Sequence, residues 1–143
     1  MSNFSERLKE LMQERGLNQL ELARLTGVRN TNISNFLIGL NQPSYKNLIK
    51  LLYFFNCSAD YMLGLIEFDT QEKPLPVLPF GPRLKSILKE YSVSQEKLIK
   101  ELPVSSSVLY KWLAQISYPS PDNLIKLAKY FDVSVDYLIG RLR

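Results

Sequence analysis

Apolar residues recur along this chain at steps of three and four, with polar residues on the intervening arcs, the period of α-helices that bury one face. Phe4, Leu8 and Leu11 mark a first helix, and Leu22, Ala23 and Leu25 are the expected inward residues of a second. Ile33, Phe36 and Leu37 follow as the buried stripe of a third, then Leu48, Leu51, Leu52 and Phe55 of a fourth. Ser58 is placed to cap a short fifth helix that closes at Gly64. No segment reads as a strand.

The pattern then repeats. Residues 4–66 laid on residues 80–142 without a gap agree at roughly one position in three, including Phe4/Phe80, Arg7/Arg83, Gln19/Gln95, Leu22/Leu98, Pro43-Ser44/Pro119-Ser120, the run Asn47 to Leu51, and Asp60-Tyr61/Asp136-Tyr137. Such an internal period means tandem copies of one module. The expected architecture is all-α: a five-helix module over 1–68, a linker over 69–79, and a second five-helix module over 80–143. A module of about 60 residues is near the lower limit for a self-supporting core.

The stretch from Gln19 to Gly39 carries the chemistry. Asn18 with Glu21 three residues on forms a capping-box pattern, Ala23 is small enough for a helix to cross over it, and Gly27 can take the positive φ of a sharp stop. The result is a helix, a tight turn and a second helix. At about 100° per residue Asn30, Thr31, Ser34 and Asn35 fall opposite the buried stripe. A polar, uncharged, hydrogen-bonding strip suits base edges in a major groove, and an asparagine can pair bidentately with adenine.

These residues, with RLKEL in the first helix, Pro43-Ser44, LIKLL and SADYMLGL, resemble the phage-repressor and Cro type of helix-turn-helix, the XRE family. The resemblance covers residues 4–66 and implies two lambda-repressor-like modules that bind operator DNA. It makes Asn30, Thr31, Ser34 and Asn35 the base readers, and sets Gln19, Arg29, Asn41 and Gln42 at the phosphates or in support of the reading helix. Arg29 stands where an N-cap is expected and caps poorly, which also favours a phosphate contact.

The second copy departs from this pattern. Ala23 becomes Ile99, Gly27 becomes Pro103, which forbids a positive φ and removes a donor, and Gly39 becomes Gln115. Its corresponding surface is Gln95, Ser106, Ser107, Tyr110 and Lys111. Residues 1–68 hold seven basic and six acidic residues, whereas residues 80–143 hold ten and six, so the copy with the weaker motif has the stronger positive field. Lys89, Lys97, Lys100 and Lys111 surround its corner, where phosphates could be neutralised. Ile38, Leu40, Ile116 and Tyr118 are apolar where family members commonly carry charge, which leaves open a helical protein-interaction module with a degenerate helix-turn-helix.

The linker DTQEKPLPVLP carries three prolines that exclude a helix. Eleven residues at about 3.1 Å each reach roughly 34 Å, close to one turn of B-DNA. Leu75, Val77, Leu78 and Phe80 are expected to pack against a module. The net charge of +4 and pI near 9.2 mildly favour a polyanionic partner. One cysteine, Cys57, and no histidine argue against a disulfide or a zinc site. No cofactor, metal, small-molecule substrate or catalytic set is expected, and Cys57 and Trp112 read as core. The apolar runs are short and broken by charges and no signal-peptide core is seen, so the expected setting is the cytoplasm. The expected partner is double-stranded DNA, and homodimerisation stays open.

Overall fold

The computed structural model describes residues 3–69 and 74–142. Among these there are ten helices and no strand. They are α1 Phe4–Glu14, α2 Gln19–Thr26, α3 Asn30–Leu37, α4 Tyr45–Phe55, α5 Ala59–Met62, α6 Phe80–Glu90, α7 Gln95–Glu101, α8 Ser106–Leu113, α9 Pro121–Phe131 and α10 Val135–Leu138. The chain divides into two compact units, with the boundary between Pro74 and Leu75.

Local chemistry sets the helix starts. Asn3, Asn18, Ser44, Ser58, Ser94, Ser105, Ser120 and Ser134 each accept a hydrogen bond from the backbone N–H three residues on. Such caps contribute about 1 kcal/mol each. Only α3 and α6, which follow Arg29 and Pro79, begin without a side-chain cap.

In the first unit Phe4, Leu8, Leu22, Ile33, Phe36, Leu48, Leu51, Leu52 and Met62 close the core, with Phe4 meeting the edge of Phe36 at 5.5 Å. Cys57 lies buried with them. Leu25, expected inside, is 53% exposed. On an eight-residue helix the three-and-four rule leaves both Leu22 and Leu25 eligible, and packing buries Leu22 alone. The second unit repeats the core with Phe80, Leu84, Ile87, Leu98, Leu109, Trp112, Leu124, Leu127 and Leu138.

The repeated arginine proves structural. Arg7 is buried, stacks 3.8 Å above the Tyr61 ring and donates to the Ile66 carbonyl at 3.2 Å. Arg83 likewise lies over Tyr137 and donates to its carbonyl. Each arginine thus locks the first helix of its unit to the last.

The residues before α6 belong to the second unit. Leu78 N–H donates to the Ile139 carbonyl at 3.0 Å, Leu75 N–H to the Arg141 carbonyl at 3.4 Å, and Arg141 Nε returns a bond to the Leu75 carbonyl at 3.0 Å. Leu78 fills the space a Cβ on Gly140 would need, 2.6 Å away, so glycine is required there twice over, given its φ of 85°. Leu78 and Val77 are half-buried and Leu75 more open, which meets the expectation that this stretch packs. Asp69 accepts from the Ser58 N–H at 3.0 Å.

Candidate nucleic-acid interface

The corner of the first unit is built as its sequence suggests. Glu21 N–H donates to Asn18 Oδ1 at 2.9 Å, and Asn18 N–H donates back to Glu21 Oε1 at 3.1 Å. Gly27 ends α2 with φ 79° and donates its N–H to the Ala23 carbonyl. Thr26, which sequence reasoning passed over, stitches the turn: its hydroxyl donates to the Leu22 carbonyl at 2.7 Å and accepts from Val28 N–H at 3.1 Å. Val28 is buried beneath it.

Across the corner Ser34 Oγ donates to Gln19 Oε1 at 2.5 Å. This bond ties the first turn of α2 to the middle of α3 and uses the Gln19 carbonyl oxygen, leaving its amide NH2 to donate elsewhere. Ser34 therefore has a supporting job inside the protein, whatever else it meets.

The other members of the polar strip are placed unequally. Thr31 is open to solvent and Asn35 half-open. Asn30 is half-buried, and its Oδ1 is sealed away with no hydrogen-bond partner. Bidentate pairing with adenine needs both amide atoms presented, so of the two asparagines Asn35 has the suitable placement. Arg29 is exposed at the start of α3 and makes no capping bond, and Arg24 is exposed on the last turn of α2. Beyond α3 lies a polar hollow lined by Asn32, Asn41, Gln42, Ser44 and Asn47, floored by Phe36. It brings Asn41 and Gln42 together with two further amides, Asn32 on α3 and Asn47 in the first turn of α4.

The second corner is a different object. Pro103 pushes the residue before it into an extended conformation, so Leu102 (φ −113°, ψ 150°) ends α7 one residue earlier than the first copy would. Val104 N–H then closes a tight bend on the Leu102 carbonyl at 2.7 Å. Gln95 is exposed, and Tyr110, which stands where Ser34 stands, is 65% exposed. The bond between Gln19 and Ser34 has no counterpart there among the described residues. Ser106, Ser107 and Lys111 are exposed, as are Lys89, Lys97 and Lys100. Gln115 adopts φ 60° where the first copy uses Gly39 at φ 77°. The Glu101 carboxylate beside Tyr130 raises the pKa of that phenol.

Among the described residues no helix is long and apolar enough to cross a membrane.

Comparison with known proteins yields matches in both halves. The helix-turn-helix family HTH_3 matches residues 8–62 and again residues 84–138. The chain is 37% identical over 71 residues to the HTH-type transcriptional regulator ImmR of Bacillus subtilis, covering 50% of this chain and 56% of that protein. It is 33% identical over 58 residues to the HTH-type transcriptional regulator YobD of the same organism, covering 41% and 52%. Against the HTH-type transcriptional activator BcrR of Enterococcus faecalis the figures are 29% over 63 residues, 44% and 31%. The chain thus spans about half the length, or less, of the curated relatives it matches. A crystal structure of a transcriptional regulator from Listeria innocua aligns over 68% of this chain and 84% of that one, at 24% identity and a TM-score of 0.42.

Proposed function

Because this chain belongs to the phage-repressor and Cro type of helix-turn-helix family, matched in each of its halves, we propose that it is a sequence-specific DNA-binding transcriptional regulator whose first unit reads a major groove with α3. The observation that carries the reading is the outward strip of α3, accessible at Thr31 and Asn35 and braced by the bond between Gln19 and Ser34. Exposed Arg24 and Arg29 flank it as phosphate contacts, and the hollow at Asn41 and Gln42 offers neutral donors to the backbone. In this reading Gln19 donates to a phosphate through its free amide NH2, and Asn35 reads adenine.

The second unit contributes affinity with less selection. Ser106, Ser107, Tyr110 and Lys111 are exposed, paired amides are missing, and the surrounding lysines release counterions when phosphates approach. Repression by covering a promoter in the cytoplasm is the mode proposed, with a homodimer or the two units of one chain meeting the two half-sites.

Exposed Ile38, Leu40 and Ile116 favour a second reading, a protein-interaction module. A salt titration against mixed duplexes separates the two. DNA binding by several cationic contacts falls steeply as salt rises, whereas apolar pairing does not. Selection from a random duplex pool should return a consensus, and Asn35→Ala should flatten it more than it weakens non-specific binding. Salt-insensitive binding with no consensus would count against the regulator.

A further inference from the structure

Ile38 is the least covered aliphatic residue of the corner, 74% exposed. Single exposed aliphatic groups are ordinary on protein surfaces. This one is distinguished by where it stands. Its N–H donates to the Ser34 carbonyl at 3.2 Å, so its Cα continues the path of α3. Thr31, Ser34, Asn35 and Ile38 are then spaced i, i+3, i+4 and i+7, the positions that share one face of a helix. The strip that faces outward thus ends in a branched hydrocarbon, set one turn beyond the asparagine.

We propose that Ile38 is a specificity-determining residue that reads thymine through its 5-methyl group. The inference rests on the DNA-reading proposal and adds a base to it. In a major groove the thymine methyl is the one apolar feature on a base edge, so an aliphatic side chain facing that groove distinguishes thymine from cytosine by a contact that hydrogen bonding does not supply. With Asn35 presenting an amide one turn earlier, the strip combines a polar contact suited to adenine with an apolar contact suited to thymine. It therefore selects A·T pairs by two independent chemistries.

The test uses the full chain and the duplex recovered from a random pool. Each thymine is replaced in turn by deoxyuridine, which removes only the methyl. The native protein should lose about fourfold in affinity at one or two positions, the scale for burying one methyl group. Ile38→Ser should bind thymine and deoxyuridine alike at those positions, while Asn35→Ala should keep the difference. Because Ile38 is exposed, the serine variant should melt with the native protein, which confirms that the comparison is between folded chains. A recovered consensus with no sensitivity to deoxyuridine overturns the inference and leaves the DNA reading standing. Sensitivity that survives in Ile38→Ser assigns the methyl contact to another residue. If no consensus is recovered, both readings fall together. If Ile38→Ser alters only the sedimentation of the free protein, the side chain belongs to an interface with a second copy.

Discussion

Gln19 and Gln95 occupy one place in the repeat, yet Gln19 meets a hydroxyl across its corner because Ser34 is short, where Tyr110 is long and turned to solvent. A hydrogen bond of this kind contributes about 1 kcal/mol net. Gln19→Ala and Ser34→Ala should therefore each destabilise the first unit, and the double variant should cost about 1 kcal/mol less than the two single costs together, measured by urea unfolding. Strict additivity would show that the bond contributes nothing. Tyr137 offers a second residue-level test. Its hydroxyl donates to the Glu90 carboxylate at 2.6 to 2.7 Å, and that bond, followed by partial burial and the Glu90 charge, raises its pKa above 10.0 against the opposing pull of Arg83. A raised folded pKa stabilises the fold while the proton is held, so this contribution is complete below about pH 10 and fades as pH climbs through the folded value. Ultraviolet titration should show a late-ionising tyrosine that Tyr137→Phe removes and Glu90→Gln returns toward ordinary behaviour. The residues themselves were legible in the sequence, but not their partners. Nothing in spacing shows that Ser34 faces Gln19 or that Asn30 hides its carbonyl, because both depend on how closely α2 approaches α3.

The two copies also differ in how their first and third helices meet. In the first unit Ser5 Oγ donates to the Leu37 carbonyl at 2.8 Å, capping the end of α3 from α1. In the second, Gly81 takes that place on α6, and a Cβ there would lie 2.3 Å from the Leu113 carbonyl oxygen and 2.9 Å from the Gln115 side chain. The α6 backbone lies close against the end of α8 where glycine stands in place of the serine. Gly81→Ala should thus destabilise the second unit by about 2 kcal/mol, since a backbone oxygen cannot swing aside, and should move α8 where Ser5→Ala leaves α3 in place. Thermal melting with a fold-sensitive probe at Trp112 checks both, and an unchanged melting point would mean the helices are free to part. Helix existence was readable from the sequence here, because the apolar period and the Asn and Ser caps act within a few residues. Pro103 marked the second corner as altered, and the structure shows that alteration as an early end of α7. The closeness of α6 to α8 was not readable, since a glycine in a helix signals only that some neighbour is near.

Taken as a whole molecule, the repeat unit and the folding unit do not coincide. Sequence alignment starts the second copy at Phe80, but Leu75 and Leu78 hydrogen-bond to Arg141 and Ile139, and the buried Arg141 guanidinium also faces Asp136 at 3.5 Å. Both side chains are almost fully covered. Removing one member of such a pair leaves an uncompensated buried charge, at a cost of about 3 kcal/mol or more, a large share of the stability of so small a unit. Arg141→Ala should accordingly unfold the second unit well before the first, splitting the denaturation curve into two steps, with roughly half the helical signal surviving the first. A single cooperative transition at the native midpoint would be incompatible with this picture.

By itself the sequence determined the helices, the tandem copies, the helix-turn-helix corner and the family, because each is written in short-range periods, caps and turn residues that act on their neighbours in the chain. Tertiary structure alone decided that Leu25 faces outward, that Asn30 withholds its carbonyl, that Ser34 braces Gln19, and that five linker residues join the second unit. Those outcomes turn on distances of a few ångströms between segments far apart in sequence, and on which of two eligible side chains is covered when they meet.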